Sequence, residues 1–209
     1  MLRTALATLA LALLGWWSAA SITQDFQVWT AEGARRLTLI EQPVTVPKVA
    51  LAGPGLTGGD LHTWLTGAGR ATIVDFVYTR CPTVCTTLGS GFQQLQHALE
   101  KEAPDGVKLM SISFDPARDD ASSLQRYAAQ WQADPNRWAI ATVPDADQLQ
   151  RLLKAFQVVV IDDGRGGYEH NAALLVLDRR GRLVRIFDNT ELELALNYAR
   201  SIAQREARE

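Results

Sequence analysis

The chain has 209 residues, of which 47% are hydrophobic and 21% are charged, with 15 glycines and 8 prolines. This balance is typical of a globular protein of one or two domains, and it excludes a disordered chain, a collagen and a polytopic membrane protein. The net charge of −2, from 21 basic and 23 acidic residues, leaves no large basic excess and argues against a nucleic-acid partner.

The first segment, residues 1–24, is predicted to be a signal anchor or a signal peptide. After Arg3 the next charged residue is Asp25, so the intervening residues 4–24 form an uncharged, largely apolar stretch of membrane-spanning length. Ser18 and Ala20 would suit cleavage after position 20, whereas two neighbouring tryptophans would anchor an uncleaved helix at the outer interface. We favour the anchor over the signal peptide, and over a buried core helix. In either export case the rest of the chain lies on the outer, periplasmic side, and the absence of a third cysteine excludes a lipid-modified N-terminus.

Residues 25–45 are predicted to be a tether. The β-prone runs at 36–40 and 44–46, the second flanked by prolines, predict an edge strand in this part of the chain. Residues 46–209 are predicted to form one domain. Its apolar, β-rich runs predict strands at 71–78, 107–114, 138–143, 172–177 and 183–187. Helical periodicity falls between them at 88–99, 124–131 and 149–156, and again at 192–202. This alternation predicts an α/β fold with a central mixed sheet flanked by helices, and the Gly-rich loop 162–167 should be exposed and mobile.

The chemistry is predicted at the end of the first buried strand, where Cys81 and Cys85 are the only two cysteines. If a helix begins there, the two side chains lie four residues apart on one face, and the helix N-terminus stabilises their thiolates. Thiolates attack disulfides and also bind copper. A structural disulfide is the plain alternative, but so short a loop would contribute little stability. A four-cysteine zinc or iron–sulfur site is excluded by the count of two.

His170 is the candidate third ligand, because it directly precedes the predicted strand 172–177. Ligand sites in open α/β sheets gather in loops beyond the strand ends, where the cysteines also lie. Two thiolates and one imidazole suit copper, especially Cu(I). The plain alternative is a solvated loop histidine. His97 lies twelve residues after Cys85, about 18 Å along a helix, which is too far to share a metal.

The segment 113–119 closes the second strand and places charge beside the predicted site. Asp115 and Pro116 suit a turn and a helix cap. We interpret them as structural, with a supporting or docking role for the segment as the alternative.

Three motifs together resemble those of the Sco/SenC family: TRCPTVC at 79–85, SFDPARD at 113–119 and YEH at 168–170. The resemblance covers roughly residues 45–205 and implies a thioredoxin-like fold. It also implies a copper ion bound by Cys81, Cys85 and His170. Family members deliver copper to, or reduce the cysteines of, the binuclear copper site in cytochrome c oxidase subunit II, which is the partner the resemblance implies. Thr83, Thr86 and Glu169 depart from residues common in the family without removing a ligand.

The leading hypothesis is therefore an exported copper metallochaperone for oxidase assembly, which is a transfer protein rather than an enzyme. The first alternative is a thiol–disulfide oxidoreductase in which Cys81 and Cys85 are the redox thiols, and the second is a redox or copper sensor. Further expected partners are other copper chaperones or thiol reductants, together with the membrane through residues 4–24.

Overall fold

The computed structural model describes residues 2–23, 25–26, 28–56, 58–80, 84–100 and 106–206, with the side chains at 31, 68, 84, 85 and 206 left outside that description. The chain divides into two compact units, Met1–Gln42 and Pro43–Glu209. The first unit contains helices α1 (Leu2–Ile22) and α2 (Ala31–Glu41). No residue of α1 is buried, and this helix is long and apolar enough to cross a membrane, a test that a signal sequence also passes.

Helix α2 corrects one prediction, because the β-prone run at 36–40 lies inside it. The hydroxyl of Thr30 accepts a hydrogen bond from the amide of Gly33 at 3.0 Å and so caps the helix. One turn later Glu32 pairs with Arg36 at 2.9 Å, an i,i+4 contact that only a helix provides. These local interactions outweigh the weak strand preference of five residues.

The second unit is an α/β domain. Its helices are α3 (Leu61–Ala68), α4 (Val84–Glu100), α5 (Ala121–Gln130), α6 (Ala146–Ala155) and α7 (Leu192–Glu206). Its strands are β1 (Val44–Thr45), β2 (Ala71–Val77), β3 (Val107–Ser113), β4 (Trp138–Thr142), β5 (Val160–Asp162), β6 (Tyr168–His170), β7 (Ala173–Leu177) and β8 (Arg182–Asp188).

Six of these strands form one mixed sheet in the order β1-β8-β7-β2-β3-β4. The central strands β2, β3 and β4 run parallel, whereas β7, β8 and β1 are added antiparallel to their neighbours. Every residue of β2 and β4 is buried, which explains why their sequences are mostly apolar. The strands predicted at 71–78, 107–114, 138–143, 172–177 and 183–187 are confirmed to within about two residues.

Helices cover both faces of this sheet. Phe92 of α4 lies 5.5 Å from Trp138 of β4, ring centroid to centroid. On β2, Phe76 lies 6.0 Å from Phe156, the residue that ends α6. Trp138 is in register with Leu109, which is in register with Ile73, and Ile73 and Phe76 point to opposite sides of β2. Helices α4 and α6 therefore lie on opposite faces, as the predicted mixed sheet flanked by helices requires.

Strands β5 and β6 form a separate antiparallel hairpin that the sequence analysis did not predict. Its connecting loop at 162–166 is exposed, as expected for this Gly-rich segment. The hairpin pairs Val160 with His170 and leads directly into β7. It therefore holds His170 next to the central sheet.

Candidate functional site

The two cysteines follow the carboxyl end of β2. Strand β2 ends at Val77 and helix α4 begins at Val84, so the predicted change from buried strand to helix is present. Cys81 lies outside the described residues. Cys85 lies in the first turn of α4, and its side chain is likewise outside the description. The thiol positions therefore remain a prediction from the sequence.

His170 ends strand β6 and is half-buried. Its ring lies 5.1 Å from the ring of Phe114, in an edge-on arrangement. Burial lowers the pKa of His170 below its usual value, so the imidazole is neutral near pH 7. A neutral imidazole is the form that binds a metal ion.

An aromatic cluster joins the His170 hairpin to the end of β2. Tyr78 directly follows β2, and its ring centroid lies 5.4 Å from that of Phe114 and 5.3 Å from that of Tyr168. Phe114 and Tyr168 are themselves 5.5 Å apart. The hydroxyl of Tyr78 also accepts a hydrogen bond from the amide of Tyr168 at 3.3 Å. The strand leading to Cys81 is thereby fixed against the hairpin that carries His170.

Arg118 attaches the same hairpin to the loop after β3. Its Nε donates to the Asp115 carboxylate at 2.5 Å, and its Nη1 donates to the carbonyl of Gly166 at 2.5 Å. The guanidinium carbon also lies 4.9 Å from the ring centroid of Tyr168, within cation–π distance. One side chain thus contacts both the 115–118 turn and the hairpin loop.

Asp119 holds the segment that precedes Cys81. Its buried carboxylate accepts hydrogen bonds from the amide and the hydroxyl of Thr79, at 2.9 and 2.6 Å, and from the hydroxyl of Ser113 at 2.5 Å. The following residue, Asp120, caps α5 by accepting from the amide of Ser123 at 2.7 Å. The turn predicted at Asp115 and Pro116 is therefore present, but the cap of the next helix is Asp120.

The sequence analysis assigned no role to Tyr78 or Tyr168, and it covered Arg118 and Asp119 only by the supporting or docking role weighed for the segment 113–119. The charged motif at 113–119 directly follows a buried strand. It indicated residues close to the cysteine motif, because parallel strands end at the same edge of a sheet. The β-prone run at 158–161, followed by a Gly-rich turn, was a signal for the missed hairpin. His97 is exposed on α4, as expected, and lies twelve residues beyond Cys85 on the same helix.

Within the described residues, no group of three or more His, Cys, Asp and Glu side chains is arranged to hold a metal ion. The predicted metal ligands are therefore Cys81, Cys85 and His170. Of these three, only His170 has a described side chain. Two thiolates and one neutral imidazole are soft to borderline ligands, and this combination suits copper better than magnesium or calcium.

The fold and the site define a thioredoxin-like domain with a paired-cysteine motif after its first central strand. The model of the SCO1/SenC family matches residues 57–204, so the chain belongs to this family. The SCO1 protein homolog of Bacillus subtilis (strain 168) is 25% identical to it over 125 residues, which are 59% of this chain and 64% of that protein. The chain spans 64% and 56% of the lengths of two curated relatives that it matches.

Solved structures support the same fold. BsSco, whose structure report describes a disulfide switch in a member of the Sco family of cytochrome c oxidase assembly proteins, superimposes with a TM-score of 0.67 at 20% identity. That match covers 78% of this chain and 95% of BsSco. ScoI of Bradyrhizobium japonicum, solved with copper bound, gives a TM-score of 0.63 at 23% identity and covers 76% and 99% of the two chains. The thioredoxin-like fold predicted from the sequence is confirmed.

Proposed function

We propose that this chain binds one copper ion through Cys81, Cys85 and His170 and delivers it to the binuclear copper site of cytochrome c oxidase subunit II. The observation that carries the proposal is the contact between Tyr78 and Tyr168, which brings the His170 hairpin to the strand leading into Cys81. Family membership and the copper-bound ScoI structure further support copper as the metal.

The state of His170 also suits copper transfer. Its imidazole is neutral near pH 7 because burial lowers its pKa, so binding a metal requires no loss of a proton from it. His170 is half-buried rather than fully buried, so this position reaches the protein surface.

A second candidate function is thiol–disulfide exchange that keeps the client cysteines reduced. It uses Cys81 and Cys85 but does not require His170. The disulfide switch described for BsSco favours this candidate, because that protein shares the fold. A redox or copper sensor would use the same cysteines.

We place the domain outside the cytoplasm, attached by residues 4–24. Helix α1 and the single positive charge before its apolar stretch support this orientation. A reporter fused to the C-terminus should be active on the periplasmic side. Activity of that fusion in the cytoplasm alone would contradict the placement.

Copper titration of the reduced chain in a neutral detergent tests the metal site. We expect one copper per chain, and loss of tight binding in Cys81→Ala and in Cys85→Ala, because no other cysteine can substitute. Near-stoichiometric copper in the double variant would overturn the proposed site.

The variant His170→Ala separates copper delivery from thiol exchange. Two thiolates still bind Cu(I), so its affinity should fall modestly, whereas Cu(II) binding should fall much more. Oxidase activity in cells should collapse while reduction of small disulfides persists. His97→Ala is the matched control and should leave both unchanged. Full oxidase activity in the His170 variant, with none in the cysteine variants, would favour the thiol reductase.

A further inference from the structure

A small polar cleft lies beside the segment that precedes Cys81. Its volume is about 260 Å³, and it lies between this segment and one face of helix α5. The residues from α5 follow helical spacing, so they share that face. The described lining residues are Thr79, Arg80, Ser123, Arg126, Tyr127 and Gln130.

The charge of this cleft is positive. Arg80 and Arg126 both line it, and none of the described lining residues is acidic. Both arginines are exposed, and among the described residues no ion pair is found for either. Within the described part of the chain, Arg126 donates to the hydroxyls of Ser122 and Ser123, at 3.1 and 3.0 Å, and no bonded carboxylate neutralises its charge.

The two acidic residues nearest to Arg126 in the sequence accept hydrogen bonds from other residues. Asp119 accepts from Thr79 and Ser113, and Asp120 caps helix α5. The pKa of Asp120 is lowered to about 2, first by the hydrogen bond from the amide of Ser123, with a small contribution from the charge of Arg126. Neither carboxylate lines the cleft.

Guanidinium groups bind carboxylates with paired hydrogen bonds, and they do so best where no carboxylate of the protein competes. The volume admits a molecule smaller than a typical drug-sized ligand. Arg80 directly precedes Cys81 in the sequence, so one lining residue of the cleft leads straight into the cysteine motif.

We propose that this cleft binds the carboxylate of a small thiol reductant and so directs its sulfur to the Cys81–Cys85 disulfide. The proposal rests on the redox-active cysteine pair of the proposed function. It adds the reductant's chemical class, a carboxylate-bearing thiol, and the residues that select it, Arg80 and Arg126.

The reaction consumes two molecules of the small thiol. The first, as a thiolate, attacks one sulfur of the disulfide, so that the S–S bond breaks and a mixed disulfide forms while the second cysteine leaves as a thiolate. A second small thiolate attacks the mixed disulfide and releases the small disulfide. Two electrons pass from the two small thiols to the protein, whose two thiolates take up the two protons that the small thiols release.

The test compares reduction of the oxidised whole chain, in neutral detergent at low salt, by 3-mercaptopropionate and by 2-mercaptoethanol. Rate constants are expressed per thiolate, and the remaining difference in nucleophilicity between the two thiols cancels when the ratio is compared between the wild type and a variant. We expect the acid to react faster, and the ratio of the two rate constants to fall about fivefold in Arg126→Gln, the scale of an exposed ion pair. Arg151→Gln, an exposed arginine on α6, is the control and should keep the wild-type ratio. An unchanged ratio in Arg126→Gln would overturn the proposal.

A second measurement avoids redox chemistry. Glutarate carries carboxylates but no thiol, so it should shift the NMR signals of Ser123 and Gln130 in the wild type and not in Arg126→Gln. Glutarate should also slow reduction by 3-mercaptopropionate more than reduction by 2-mercaptoethanol. If the cysteine pair proves inert to every thiol, the thiol–disulfide exchange candidate fails while glutarate binding still tests the cleft. If glutarate produces no shift at these residues, the cleft is not a carboxylate site.

Discussion

Asp119 accepts hydrogen bonds from both the backbone amide and the hydroxyl of Thr79, at 2.9 and 2.6 Å, although the two residues are 40 positions apart. Thr79 stands two residues before Cys81 in the sequence, so this contact holds the segment that leads to the cysteine motif. Asp119 is 1% exposed, and water does not compete for these bonds. We therefore regard Asp119 as a positioning residue for the cysteine motif.

The first prediction concerns Asp119→Ala. Removing the carboxylate leaves the Thr79 amide and the Ser113 hydroxyl without their acceptor, so the free energy of unfolding should fall by about 3 kcal/mol. Copper affinity of the folded variant should fall as well, because the segment that leads to Cys81 is no longer held at Thr79. Urea denaturation and copper titration measure the two effects.

The matched control for Asp119 is Asp145→Ala, which removes the carboxylate that caps α6 by accepting from the amide of Gln148 at 2.8 Å. It should lower the free energy of unfolding by about 1 kcal/mol and leave copper affinity unchanged. If Asp119→Ala lost stability but bound copper as tightly as the wild type, its positioning role would be rejected.

The second prediction concerns Arg118→Lys. Lysine keeps the charge but cannot hold Asp115, the Gly166 carbonyl and the Tyr168 ring at once. Because the hairpin is then less firmly held at His170, Cu(II) affinity should fall by about three- to tenfold, with Cu(I) affinity nearly unchanged. Parallel titrations with the two oxidation states measure this difference.

A double-variant cycle shows whether Arg118 acts through His170. In the His170→Ala background, Arg118→Lys should have no further effect on Cu(II) affinity. Arg182→Lys is the control, because Arg182 also pairs with one aspartate, Asp178, at 2.7 Å but on β8. Equal additive losses in both backgrounds would show that Arg118 does not act on His170.

The buried strands were the part of the fold that the sequence predicted best. Strands β2, β3 and β4 are mostly apolar and almost entirely buried because both faces of the sheet are covered, and this pattern predicts buried strands clearly. The run at 36–40 was misread because five β-prone residues are too short to decide between helix and strand. The Thr30 cap and the Glu32–Arg36 pair decide it.

The cysteine motif and His170 were proposed from the sequence, but the contacts around them were not. Residue spacing cannot show that Asp119 reaches Thr79 or that Arg118 reaches Gly166, because these contacts depend on how the loops of different strands meet. The β5–β6 hairpin was missed for a related reason. Its short strands are half-exposed and flank a charged, Gly-rich loop, so they lack the continuous apolar pattern of the central sheet.

The third prediction concerns Gly89→Ala on helix α4. A β-carbon at this position would meet the ring of Trp131, which packs against the helix backbone there. The ring must move, so the free energy of unfolding should fall by about 1 to 3 kcal/mol. Thermal and urea unfolding measure the change.

The control for Gly89 is Gly67→Ala on helix α3, where an added β-carbon meets nothing within 4 Å. Alanine is the better helix former, so this variant should gain up to about 1 kcal/mol. If the two variants changed stability alike, the close packing of α4 on Trp131 would be refuted.

The last prediction concerns Asp75, a fully buried carboxyl in the middle of β2. Burial raises its pKa from 3.8 to about 7, and the nearby Ser111 hydroxyl offsets this only in part. Neither carboxyl oxygen makes a full hydrogen bond to any described residue. The Ser111 oxygen itself accepts from the indole Nε1 of Trp138 at 2.9 Å.

This raised pKa makes stability depend on pH with a defined sign. Below about pH 4 the carboxyl is protonated in both the folded and the unfolded chain, so Asp75 does not lower the free energy of unfolding of the protein. Between pH 4 and 7 the unfolded chain loses the proton while the folded chain keeps it, so stability falls as pH rises. Above about pH 7 the free energy of unfolding has fallen by the full amount, about 4 kcal/mol, which corresponds to a shift of about three pKa units.

Asp75→Asn should abolish this fall, because asparagine does not ionise. The free energy of unfolding, measured by urea denaturation from pH 4 to pH 8, should therefore drop in the wild type relative to the variant, and the variant should be the more stable at pH 8. Asp178→Asn is the contrasting control: Asp178 is equally buried but ion-paired with Arg182, so its replacement should destabilise the protein at pH 8. Parallel pH profiles for the wild type and Asp75→Asn would show that Asp75 is ionised in the folded protein across this range, contrary to the effect expected from its burial.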